Sequence, residues 1–143
     1  MDRRSLLITL ATVGSGAGCV GRLSPLTNAG FPLGSVHLWN TTDNSRSIDL
    51  RIYRDADSVY SDKTEINPHE EILIQPTWPS QPASYQLYCV VDGTDELQVF
   101  NLSDRHSTDG DCNVFSIQIR DHNRFITTEI LSVDDLEEAT CNL

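Results

Sequence analysis

The sequence predicts an all-β fold, an antiparallel sandwich of seven or eight strands. Three observations predict it. Apolar and polar residues alternate in short runs, the period of a half-buried strand. The runs recur about every ten residues and are separated by Pro, Gly, Asn and Asp. No helical period of useful length occurs before Ser132, so the crossover helices of a parallel sheet are missing. A small barrel satisfies the same pattern.

Taken in order, residues 20–34 mix Leu, Pro, Ser, Asn and Gly without a period and read as a tether. The domain is expected over 35–143. Val36 and Leu38 mark its first strand. Ile48, Leu50 and Ile52 then alternate with Ser47, Asp49 and Arg51. Asp55-Ala56-Asp57 is turn-like, and 59–66 continues extended. Asn67-Pro68 breaks the chain. Ile72 and Ile74 mark a further strand, and Pro76, Pro79 and Pro82 enforce a loop. Tyr85, Leu87, Cys89 and Val91 share one face of the next strand. Asp92-Gly93 signals a hairpin, with Leu97 and Val99 on the returning strand. A polar loop spans 103–111. Phe115, Ile117 and Ile119 alternate again, and Asp121-His122-Asn123 turns the chain into the 125–131 run. The stretch 132–140 reads as one short capped helix or as a plain tail.

The first eighteen residues read as a processing signal. Arg3 and Arg4 precede the apolar stretch Leu6 to Val13, which is too short to span a bilayer. Small residues follow, and then Cys19. Paired arginines at this place resemble a twin-arginine export signal. Gly16-Ala17-Gly18-Cys19 resembles a lipobox, with Cys19 lipidated and first in the mature chain, although position 16 departs from the usual Leu.

Charge excludes one class of partner. The 143 residues hold 10 Lys+Arg against 21 Asp+Glu, a net charge of −11 that repels nucleic acid phosphate. Loss of residues 1–18 leaves eight basic against twenty acidic residues, a net of −12, with Lys63 the single lysine. Such a surface suits concentrated salt, which screens carboxylate repulsion.

Candidate chemistry is sparse. With Cys19 assigned to lipid, Cys89, Cys112 and Cys141 remain, and an exported chain favours one disulfide among them. Cys89 lies on an apolar strand face, which suits a buried thiol. Geometric reach favours Cys112–Cys141 over Cys89–Cys112, with both still open. His37, His69, His106 and His122 are scattered and read as exposed polar residues. Asp104, Asp109 and Asp111 crowd one loop with His106, a carboxylate set suited to a hard cation. Asn40-Thr41-Thr42 and Asn101-Leu102-Ser103 match the N-glycosylation pattern. Trp39 reads as packing on a strand, and Trp78, among prolines, as a cap on the core. No nucleophile elbow or phosphate-cradling glycine loop occurs, so neither an enzyme nor a cofactor is expected.

The run Arg3-Arg4-Ser5-Leu6-Leu7, the small residues before Cys19 and the lysine-poor acidic body resemble exported lipoproteins of halophilic archaea. The body also resembles their small immunoglobulin-like surface domains. That likeness rests on Asn40-Thr41-Thr42 after a first strand, Pro68-His69-Glu70 leading into another, and Tyr85-Gln86-Leu87-Tyr88 opening the next. The anchor, the sandwich pattern and the lack of a catalytic constellation lead to the expectation of a non-catalytic domain, lipid-anchored to the outer face of the cell membrane, with a structural or interaction role. Its partner would be an envelope protein or a glycan. The alternative is a solute- or metal-binding lipoprotein with its site in the 104–111 loop.

Overall fold

Alternation decides which way each strand faces, and the eight strands among the described residues use it to enclose one core. The computed structural model describes residues 30–92, 96–105, 107, 111–120 and 126–143. The strands are β1 (Leu33–Asn40), β2 (Arg46–Arg54), β3 (Asp57–Ile66), β4 (Glu71–Ile74), β5 (Tyr85–Val91), β6 (Gln98–Asn101), β7 (Asn113–Ile119) and β8 (Ile126–Ser132). They form two four-stranded sheets, ordered β4-β1-β7-β8 and β3-β2-β5-β6. The protein is an all-β sandwich. Val36 and Leu38 of β1, Ile48, Leu50 and Ile52 of β2, and Phe115, Ile117 and Ile119 of β7 meet in the core. Tyr85, Leu87, Cys89 and Val91 of β5 join them from one face of their strand, as their spacing requires.

Among the described strands, pairing is antiparallel with one exception. β1 runs parallel to β7, with Val36 opposite Phe115 and Leu38 opposite Ile117. A parallel pair needs a long crossover. Here the crossover is the whole of the second sheet together with β4, so no helix is required.

The folded unit begins earlier than composition suggests. Phe31 and Leu33 are buried, and Phe31 bridges Ala83. Residues 30–34 therefore belong to the fold and not to a tether. Pro32 and Gly34 interrupt the alternation there, which hides the strand in the sequence. Gly34 is needed for close approach: a Cβ at this position would lie 2.6 Å from the carbonyl oxygen of Thr140.

The proline-rich loop closes one end of the sandwich. Trp78 is buried and its indole N–H donates to the Leu33 carbonyl at 3.0 Å. Its ring meets Tyr60 edge-on at 6.2 Å. Tyr85 donates its hydroxyl to Pro79 O at 2.6 Å and accepts from Arg54 Nε at 3.0 Å. Trp78 thus caps the core, as its sequence context suggests.

At the C-terminus the expected helix is a single turn. Ser132 and Asp135 form a reciprocal capping box around the 3-10 turn Val133–Asp135. Leu136 is already extended, and the rest is a tail. That tail is fixed to the first sheet and to the proline-rich loop. Ser35 N donates to Thr140 O at 3.2 Å, Gln75 Nε2 to Glu138 O at 2.9 Å, and Ser80 N to Asn142 O at 2.8 Å. The Cys112–Cys141 disulfide bonds it covalently to the start of β7, and Cys89 is free and buried.

Candidate functional site

Each sheet turns one face outward, and the two outward faces differ in chemistry. On the first sheet, His37 of β1, Ser116 of β7 and Glu71 of β4 point the same way on three adjacent strands. His37 is 6% exposed, against the exposed position expected for it. Neighbouring strands flank it, and Leu136 to Glu138 of the tail line a cleft of about 130 Å³ beside it. His37 Nε2 lies 2.7 Å from Glu71 Oε1, and Nδ1 lies 2.8 Å from Ser116 Oγ. A carboxylate only accepts, so in the neutral ring Nε2–H donates to Glu71 and Nδ1 accepts the Ser116 hydroxyl. This connectivity is that of a nucleophile and its base. Ser116, however, is only 1% exposed, so its hydroxyl is not presented to a substrate. The chain of bonds ties three strands together.

The other outward face holds a groove of about 260 Å³. Asp49, Arg51 and Tyr53 of β2 line it, with Tyr88 and Val90 of β5 and Leu97 just before β6. These residues occupy the phase opposite the core. Register places Asp49 against Val90, Arg51 against Tyr88 and Tyr88 against Val99. Tyr53 and Tyr88 meet edge-on with ring centres 5.3 Å apart. Arg51 Nε lies 3.8 Å from Asp49 Oδ1, and both side chains are about half exposed. Beyond the rings, Leu97 is 55% exposed and Val99 49% exposed. They are two of the three large apolar side chains that are exposed among the described residues.

The sequence-derived candidates fare differently. Asn40 is not offered to a glycan. It is fully buried, and its Nδ2 donates to the carbonyls of Asn44, Ile66 and Asn67 at 2.8, 3.0 and 3.1 Å. Its Oδ1 accepts from the amide and the hydroxyl of Thr42. The sequon is here a turn-building asparagine. Asn101 is exposed at the end of the edge strand β6, and its Oδ1 caps the 3-10 turn Leu102–Asp104. Asp104 and Asp111 are both exposed, while Asp109 and His106 lie outside the described residues. Among the described residues, no three His, Cys, Asp or Glu side chains converge as a metal site would require. Arg3, Arg4 and Cys19 also lie outside the described residues, as do Gly93 and His122. His69 is exposed and contacts Asp43 at 2.9 Å.

Cys89 is sealed in the core opposite Leu50, and burial pushes its thiol up to about 12. It is chemically inert in the folded state. The two residue sets that sequence reading missed, the groove and the His37 chain, share one reason. Each is assembled across strands from residues far apart in sequence, and register alone brings them together.

Comparison with known proteins supplies no relative: no family model matches the chain, and no curated protein and no solved structure matches it.

Proposed function

We propose that the chain is a non-catalytic, lipid-anchored surface domain of haloarchaeal type, exported by its twin-arginine signal and acting through contact. The observation that carries the contact role is the groove on the open face of the second sheet, with Leu97 and Val99 beside it. Leu97 and Val99 lie beside Tyr53 and Tyr88 on one open face, and that grouping supports a contact role. The sealed hydroxyl of Ser116 argues against turnover at the one nucleophile-like arrangement described. Export is supported by the Cys112–Cys141 disulfide, a bond that persists in oxidising compartments. The anchor is supported by Cys19 after its run of small residues. Asn101 is the glycan acceptor of this reading, being exposed where Asn40 is buried.

Fractionation of cells producing the full chain tests the anchor. The parent should travel with membranes, and Cys19→Ser should appear in the medium or remain unprocessed. Membrane association of Cys19→Ser equal to that of the parent removes the lipid anchor. Replacement of Arg3 and Arg4 by Lys should stop export, and undiminished export would reject the twin-arginine route.

A further inference from the structure

We propose that the groove lined by Tyr53 and Tyr88 is a binding site for a neutral carbohydrate. This deepens the contact role proposed above and rests on it. The argument starts from what a sugar ring presents. A pyranose has C–H-rich faces that bury against aromatic rings, and a rim of hydroxyls that both donate and accept. The groove offers the complement to each. Tyr53 and Tyr88 both line the groove, and their edge-to-face contact holds the two rings together as one aromatic wall. Val90 and Leu97 extend the apolar floor. Arg51 supplies donors only and Asp49 acceptors only, 3.8 Å apart at the rim. A hydroxyl placed between them accepts from one and donates to the other. Neither group is spent in the core, since both side chains are about half exposed.

Size and charge narrow the ligand. The groove, about 260 Å³, is smaller than the roughly 300–1,000 Å³ of a drug-sized pocket. It holds one or two rings and not a large cofactor. The rigid strands β2 and β5 fix its walls, paired over seven consecutive positions from Ile48–Val91 to Arg54–Tyr85. A net charge of −11 disfavours sulfated or uronic glycans over neutral ones. A basic partner would be drawn to the acidic surface at large and has no special reason to choose a groove that holds Arg51.

Titration of the full chain in detergent with cellobiose, maltose and N,N′-diacetylchitobiose, followed by amide and Tyr side-chain NMR shifts, tests this. At least one should bind, with shifts centred on Arg51, Tyr53, Tyr88 and Leu97. Tyr88→Ala and Tyr53→Ala should each weaken binding by about tenfold, some 1.4 kcal/mol. Asp49→Asn, which keeps shape and removes the pure acceptor, should weaken it less. Thr127→Ala, on the opposite sheet, should leave it unchanged. The proposal is overturned if none of the three binds, or if only digalacturonic acid binds. Binding that survives both tyrosine variants, while their folds are intact by amide spectra, also overturns it. Sedimentation adds a further arm: a dimer of the parent that Tyr88→Ala dissociates would make this face a self-association surface instead. None of these measurements involves Cys19, so failure here leaves the anchor standing, and loss of the anchor leaves the groove standing.

Discussion

Asn40 shows how a single side chain fixes a corner of the fold. It reaches three carbonyls with its two N–H groups and accepts from the amide and the hydroxyl of Thr42, all in a buried place. Replacing it by Ala strands several buried polar groups, and the expected loss is about 2–4 kcal/mol. Chemical denaturation of Asn40→Ala beside Asn101→Gln should show a large drop for the first and a smaller one, about 0.5–1 kcal/mol, for the second, which loses only the cap of one exposed turn. Cys89 carries a different signature. Its thiol ionises near 9.0 when free and near 12 when folded, because burial disfavours the thiolate. Burial also raises Tyr85 and Tyr60, with Arg54 pulling Tyr85 back. The folded state therefore keeps protons that the unfolded chain releases. Stability contributed by Cys89 is complete below pH 9 and is lost as pH climbs towards 12. The denaturation midpoint should fall over that window, and Cys89→Ala should show a shallower fall. An equal slope in the variant would assign the effect to the tyrosines alone.

At the scale of elements, the Cys112–Cys141 bridge closes a loop with a sequence separation of 29. Chain entropy assigns such a loop about 3–4 kcal/mol. Cys112→Ser with Cys141→Ser should lower the midpoint accordingly, and it should loosen a tail still held by Ser35, Gln75 and Ser80. Non-reducing peptide mapping should recover Cys112 joined to Cys141, and an alkylating reagent should reach Cys89 only after unfolding. The β2–β3 hairpin gives a smaller effect of opposite sign. Asp55 and Ala56 both hold positive φ, 50° and 75°, the left-handed pair that a tight hairpin turn demands. Alanine is strained there, so Ala56→Gly should stabilise the protein by about 0.5–1 kcal/mol. Most strands were legible because alternation reports burial directly. Ile48, Leu50 and Ile52, or Phe115, Ile117 and Ile119, need no partner to be recognised. What alternation cannot report is the neighbour. It placed Tyr88 and Tyr53 on outward phases without revealing that β2 and β5 lie side by side, so the groove was invisible. His37 looked exposed for a related reason: burial of an outward phase depends on what lies over it, and the C-terminal tail there is more than ninety residues away in sequence.

Charge acts on the molecule as a whole. A net of −11, with Lys63 the only lysine, sets carboxylates against one another over most of the surface. Folding concentrates that charge, so repulsion opposes the compact state most strongly in dilute buffer. The thermal midpoint of the full chain in detergent should climb between dilute buffer and molar potassium chloride, where screening shortens to about 3 Å. A midpoint that is flat or falls with salt would reject the haloarchaeal reading proposed above.

The parallel pair in the first sheet sets a schedule for biosynthesis. Eighty residues separate Leu33 from its partner Asn113, and β1 lies between β4 and β7 in its sheet. A ribosome delivers β1 first and its second neighbour, β7, only after five intervening described strands. Until Ile119 has emerged, one side of β1 has no ladder, and Val36 and Leu38 lack the apolar residues of β7 beside them. Partial chains of this protein are therefore not smaller versions of it. They carry an open strand edge and must be shielded or kept extended, and the native sandwich becomes available only once β7 has emerged.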